Sequence, residues 1–236
     1  MAQWFVELLG DGFDLEEFPR NFRSGDCLAV EKNGRTYLTG PCFQDCEGAA
    51  QAREKAGTWL ELQFGTLVLL QPNLRKPRLG HVSLEHEDGR VDAFAFPEGV
   101  QARGKVSALV SATVNGQPVL PGITRAEELM KGSRNNPHLK RALQLWADPN
   151  RGWSQLYGVL EEVESAIGQH VNKAGWASRS QRSQFTQTAN SAEAGGLRAR
   201  HGLGRNDPPP KPMAIEEGRE FIRALLMRAL RDDAND

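Results

Sequence analysis

Hydrophobic and polar positions alternate over short runs in the first half of the chain, then shift to a helical period after Pro121-Gly122. In residues 1–122 the runs are separated by turn dipeptides at close intervals. Trp4–Leu9 reads as a first strand. Cys27–Lys32 and Arg35–Thr39 flank Asn33-Gly34, a pair suited to the positive φ angles of a type I′ hairpin. His81–His86 and Val91–Phe96 flank Glu87-Asp88-Gly89-Arg90 as a second hairpin, and Val106–Val114 meets Pro118–Leu120 across Asn115-Gly116 as a third. Asp45 is placed to cap a helix Cys46–Ala56 ending at Gly57, after which Trp59–Leu62 and Thr66–Leu70 resume the strand pattern. An antiparallel sandwich or barrel with one inserted helix is expected.

Residues 123–236 carry start signals instead. Thr124 with Glu127 forms a capping box, Asn136 precedes Pro137 at a first helical position, and Ser178 with Gln181 forms a second box. Leu139, Leu143 and Trp146 follow an i, i+4, i+7 spacing, as do Leu156, Leu160, Val163 and Ile167 on a helix expected from Trp153 to His170. A segment holding Phe185 and Ala189 follows. The chain then crosses Gly195-Gly196 and the Pro208–Pro212 stretch. A last helix begins near Ala214, with Ile215, Ile222, Leu225, Leu226 and Leu230 on its apolar face and a frayed tail Asp232–Asp236. The fold class is therefore α+β, an N-terminal antiparallel β-rich domain (1–122) followed by a C-terminal helical bundle (123–236).

Composition narrows the functional classes. With 236 residues, 25% charged and 39% hydrophobic, the chain can bury a core. Apolar runs reach only four residues, as at Leu67–Leu70, well short of the roughly 18 to 20 needed to span a bilayer, so no membrane partner is expected. The N-terminus has neither a basic n-region nor an apolar h-region, and Cys27, Cys42 and Cys46 are too few for a disulfide framework. A cytoplasmic location is expected. Residues 1–120 carry 12 basic and 16 acidic side chains and residues 121–236 carry 17 and 14, below the charge density of a dedicated nucleic-acid domain.

Lys173–Lys211 is a basic segment, with seven cations against Glu193 and Asp207. It reads first as a solvated connection between amphipathic helices, and second as a phosphate or RNA contact through Arg179, Arg182 and Arg205. Within it, Arg198-Ala199-Arg200-His201-Gly202 is where guanidinium groups flank a histidine. An imidazole moves protons near neutral pH and an arginine stabilises a pentavalent phosphate, so His201 with Arg198 and Arg200 suits metal-free RNA cleavage; the competing reading is a structural histidine. Gly195-Gly196 has no preceding strand and no Gly-Lys-Ser/Thr after it, which excludes a Walker-type loop. Cys42-x3-Cys46 with Cys27, His81 and His86 is loosely zinc-like, yet ordinary buried thiols are the better reading, and the two histidines fall on opposite strand faces. No Gly-x-Ser-x-Gly hydrolase signal occurs, and the paired carboxylates Glu16-Glu17, Glu127-Glu128 and Glu161-Glu162 diverge. Trp4, Phe5, Trp59, Phe94 and Phe96 could stack on a base, with core packing the stronger reading. No metal and no cofactor is expected.

The series from Trp153, Leu156, Tyr157 and Leu160 through Phe185-x3-Ala189-Asn190, Gly195-Gly196-x2-Ala199-Arg200-His201, Pro209-Pro210 and the last amphipathic helix resembles the HEPN-type helical domains of bacterial conflict and abortive-infection proteins, over about residues 135–231. The resemblance implies a compact helical bundle, frequent homodimerisation and, in active members, an Arg-x4-6-His motif at a helix junction. The spacing departs from that motif: Arg200 directly precedes His201, Arg198 lies three positions before it, and Arg134 and His138 are separated by three residues. The expectation is a non-catalytic accessory, sensor or interaction protein of a bacterial defence or toxin–antitoxin type system, with a protein partner and homodimerisation. The alternatives are a metal-free endoribonuclease at Arg198, Arg200 and His201, with RNA as partner, and a small-molecule binding module in the β-rich half.

Overall fold

A computed structural model describes residues 2–96, 113–114, 117–118 and 123–234. The chain is α+β, with an N-terminal antiparallel five-stranded sheet followed by helices. It divides into two compact units, Met1–Gln63 with Asn73–Glu127, and Phe64–Pro72 with Glu128–Asp236. Among the described residues no helix is long and apolar enough to cross a membrane.

In the first unit the strands are β1 (Gln3–Leu9), β2 (Leu28–Lys32), β3 (Arg35–Thr39), β4 (Arg78–Glu85) and β5 (Val91–Phe94), in the order β2-β3-β1-β4-β5. The sheet is open, neither the sandwich nor the barrel expected. Both hairpins form as read. Asn33 and Gly34 take φ of 53° and 71° between β2 and β3, the left-handed pair that a two-residue type I′ turn requires. Val6 lies opposite Leu38 on one side and Val82 on the other; these three, with Trp4, Leu8 and Ala29, are buried along one sheet face. The other face carries Phe5, Glu7, Tyr37 and Ser83. Between β1 and β4 the register steps from Val6–Val82 to Leu8–Leu79, so Gly80 and His81 together face the single residue Glu7, a β-bulge.

Helix α1 (Gly12–Asn21) has no counterpart in the sequence reading; the Asp11 side chain accepts from the Phe13 N–H to start it, and Phe18 and Phe22 anchor it in the core. The largest correction is helix α2, which runs unbroken from Ala49 to Leu70. It begins after Cys46, where Gln51 reaches back to the Glu47 N–H, passes through Gly57, and contains the two segments Trp59–Leu62 and Thr66–Leu70 read as strands. Residues 62–69 are all buried, so this part of the helix has no polar face and its apolar run carries no helical period. Gln63 donates to the Cys27 carbonyl, and at the far end Arg223 donates through Nε to the otherwise open Leu69 carbonyl (2.7 Å). Strands β6 (Thr113–Val114) and β7 (Gln117–Pro118) pair; the rest of the third expected hairpin lies outside the described residues.

The helical elements are α3 (Arg125–Lys131), α4 (Pro137–Trp146), α5 (Trp153–Ala166), α6 (Arg179–Asn190), α7 (Ala192–Gly195) and α8 (Ile215–Asp233). Their start signals hold. Thr124 and Glu127 exchange bonds as a capping box, the Asn136 side chain accepts from the His138 and Leu139 N–H groups, and Ser178 and Gln181 do as read. Helix α5 stops at Ala166, four residues short of the expected His170, because Gly168 takes φ 69°. The tail is helical to Asp233, whose carboxylate accepts from the Asn136 amide; residues 235–236 lie outside the described residues.

The core of the second unit is a packing of α4, α5, α6 and α8 around Leu143, Leu156, Val163, Phe185, Ile222 and Leu226. Trp153, Phe185 and Phe221 form a tilted ring series with centroids 5.8 and 5.5 Å apart. Three glycines permit close backbone approach. A Cβ on Gly132 would lie 1.9 Å from the Leu230 carbonyl oxygen, one on Gly65 2.4 Å from that of Leu143, and one on Gly218 2.7 Å from the Trp153 ring.

Candidate functional site

The stretch Ser191–Met213, which carries four of the six sequence-read candidates and begins with the short helix α7, is strapped onto α6. Ser191 ends α6 and caps α7, accepting from the Ala194 N–H and donating to Glu193 Oε2. Glu193 Oε1 accepts from the Gly204 N–H (3.1 Å), which closes residues 196–204 into an arch. The N–H of Gly204, the N–H of Glu193 itself and the Ser191 hydroxyl hold the Glu193 carboxyl below the usual carboxylate range. Arg200 donates its backbone N–H to the Ala189 carbonyl (2.8 Å), the Asn206 amide to the Asn190 carbonyl, and the Met213 N–H to Thr188 Oγ1. Beneath the arch, a Cβ on Gly195 would meet Trp153 and the Thr188 carbonyl at 3.0 Å, and one on Gly152 would meet the Arg198 stem at 2.9 Å. The loop is thus seated on the start of α5 by glycine contacts.

Of the six candidate residues, Arg182 and Arg200 are both held by carboxylates of α5. Arg182 is committed: Nε and Nη2 pair bidentately with Glu164 (2.6 and 2.7 Å), which also accepts from His170 Nδ1 and the Val171 N–H. Burial acts to raise the Glu164 carboxyl, but these bonds, led by Arg182, outweigh it and hold the group low. Arg200 is also engaged, its guanidinium 4.3 Å over the Tyr157 ring and 3.3 Å from Glu161. Arg198 is exposed with its stem on Gly152. His201 is half-buried and, among the described residues, makes no hydrogen bond or ion pair; Arg205 and Arg179 are exposed and likewise without an ion pair among the described residues. His138, of the second spacing considered, bonds Glu162 (2.8 Å).

Sequence reasoning missed what surrounds these cations. Among the described residues Leu197 and Leu203 are, besides Phe13, the most exposed large apolar side chains, at 108% and 80%. The signal was present as two leucines at no helical spacing within a polar stretch. Beside the loop lies an open cleft of about 250 Å³ lined by Thr186, Gln187, Asn190, Asn206, Asp207 and Pro208, a polar hollow smaller than the roughly 300 Å³ at which ligand pockets begin.

In the first unit Cys27 is buried, and burial pushes its thiol up, with Cys42 as its hydrogen-bonding neighbour. Among the described residues no three His, Cys, Asp or Glu side chains gather as a metal centre requires. His86 Nε2 bonds Asp92 (2.7 Å) and His81 Nδ1 bonds Glu7 (2.5 Å), so each histidine has its own carboxylate partner. Compared with family models, with curated proteins and with solved structures, the chain matches none.

Proposed function

We propose that the chain is an accessory, sensor or interaction protein whose helical unit is non-catalytic and engages a protein partner through the arch at residues 196–205. The observation that carries this reading is the pair Leu197 and Leu203, held into solvent by a loop whose backbone is bonded at both ends. Exposed apolar anchors with Arg198 and Arg205 beside them suit a partner surface that offers an apolar recess rimmed by carboxylates. Arg200, already stacked and ion-paired, is a poor phosphate ligand, which weighs against RNA cleavage at this place. The resemblance of residues 135–231 to HEPN-type domains supports a bacterial defence or toxin–antitoxin setting, with homodimerisation as one form the interaction takes.

The test is affinity capture with tagged wild-type chain and the Leu197→Asp/Leu203→Asp double variant, read beside light scattering for self-association. A stoichiometric partner, or a second copy, retained by wild type and lost at least tenfold by a double variant of unchanged melting temperature is the expected result. Equal retention by both proteins would refute the reading. The ribonuclease alternative is favoured by the unbonded, half-exposed imidazole of His201, and cleavage of RNA in EDTA that disappears in His201→Ala would establish it instead.

A further inference from the structure

The outer face of the sheet holds a group of ionisable side chains that the interaction reading does not use. Glu7, only 6% exposed, sits at the centre of β1 where the bulge sets Gly80 and His81 against it. Its two oxygens are divided between neighbours on either side: Oε2 bonds His81 Nδ1 on β4 (2.5 Å), and Oε1 accepts from Arg35 Nη1 on β3 (3.1 Å). Gly80 makes room for this, since a Cβ there would stand 2.6 Å from Glu7 Oε2. Tyr37, directly opposite Glu7, sets its ring edge-on to both His81 and Phe5 at 6.1 Å. Burial first, and the Glu7 carboxylate second, push the Tyr37 phenol up, so it stays protonated in neutral solution. Lys32 lies over the Phe5 ring and pairs with Glu85.

A carboxylate at Nδ1 fixes the neutral imidazole with its proton on that nitrogen, leaving the Nε2 lone pair for a substrate. His81 is half-buried, and among the described residues Nε2 has no hydrogen-bond partner. Arg35 donates to Glu7 and also hydrogen-bonds the Tyr37 phenol; at 58% exposure its remaining N–H groups are left for an anion. No serine, threonine or cysteine is bonded to His81 among the described residues, so a nucleophile must arrive with the substrate. A base, a guanidinium held by the same carboxylate and no side-chain nucleophile bonded to the base together match a phosphodiester that carries its own neighbouring hydroxyl.

We propose that Glu7, His81 and Arg35 form a metal-free proton-transfer site in the sheet unit, whose substrate class is single-stranded RNA. His81 Nε2 takes the proton of a 2′-hydroxyl as its oxygen bonds phosphorus, and Arg35 neutralises the phosphorane oxygens. The bond from phosphorus to the 5′ oxygen breaks. That oxygen takes a proton from solvent water, and the proton held by His81 neutralises the hydroxide left behind. His81 is the catalytic residue and Glu7 a positioning residue. This site is independent of the arch in the helical unit, so either assignment can fail alone.

The experiment incubates the full chain with a fluorescent single-stranded RNA oligonucleotide in EDTA, beside its all-deoxy counterpart. Cleavage leaving 2′,3′-cyclic phosphate ends on the RNA alone is expected. It should fall ~10²-fold or more in His81→Gln and in Arg35→Ala, and persist in His201→Ala. Glu7→Gln should lower the rate ~10-fold and displace its pH profile, which loss of packing alone would not do. Arg35 is exposed, so its variant remains informative if His81→Gln fails to fold. No cleavage by wild type, or cleavage that survives both His81→Gln and Arg35→Ala, would overturn the proposal.

Discussion

Two histidines stand in opposite circumstances. His81 sits in a β-bulge, oriented by a buried carboxylate that also holds an arginine. His201 rides on an arch whose backbone is strapped down but whose imidazole has no hydrogen bond among the described residues, and the arginine before it is drawn off to Tyr157 and Glu161. A histidine flanked by arginines in sequence is therefore less prepared for proton transfer than one whose carboxylate partner comes from the neighbouring strand. Preorganisation depends on what fixes the imidazole, and a sheet fixes it better than a loop tip.

The comparison can be broken at its strongest point by removing the carboxylate. Glu7→Ala leaves a half-buried histidine and an arginine without their partner and should cost ~2–4 kcal/mol, whereas His201→Ala should stay within ~0.5 kcal/mol. Urea unfolding of the two variants checks this, and equal losses would erase the distinction. A smaller contrast concerns glycines. Gly80→Ala drives a methyl into Glu7 and Leu9 and should cost ~1–3 kcal/mol, while Gly202→Ala on the arch meets nothing within 4 Å and should be neutral or slightly stabilising.

The scaffold under the arch responds to pH in a defined direction. Glu164 is held below the ordinary carboxylate range when folded, so its contribution is complete above the unfolded value of about 4.3 and is lost as pH falls through the folded one. Melting temperatures of wild type and Glu164→Gln should differ at pH 7, by the equivalent of ~1–2 kcal/mol, and converge at acid pH. Glu127, which accepts from Thr124, Ser24 and Arg23, is held low by those bonds against the opposing effect of burial and should behave alike. The smallest effect is expected at Arg205, where substitution by alanine should change stability by less than ~0.5 kcal/mol.

The legible parts of the chain were those with local causes. Asn33-Gly34 dictates its hairpin through backbone angles, and Thr124, Asn136 and Ser178 announce helices through side chains that reach N–H groups two or three residues away. Helix α2 was illegible because its second part is buried all round and lacks the polar stripe that marks a helix. Helix α5 ended early at a glycine whose left-handed angle the apolar spacing does not encode. At the arch, the sequence shows which cations are near His201 along the chain but not that Tyr157 and Glu161 claim Arg200. The His81 site depends on a bulge between strands more than sixty residues apart in sequence, and spacing along one strand says only that His81 and His86 diverge.

The most direct test of the central claim is the tautomer of His81. A long-range proton–nitrogen correlation spectrum of the ring-labelled chain at pH 8, assigned with His81→Gln, reads which nitrogen carries the hydrogen. The account predicts a single form protonated at Nδ1, with Nε2 showing the shift of a bare lone pair, and a return to the mixture of a free imidazole in Glu7→Gln. A proton on Nε2, or a mixture in the wild type indistinguishable from that of His201, would contradict it.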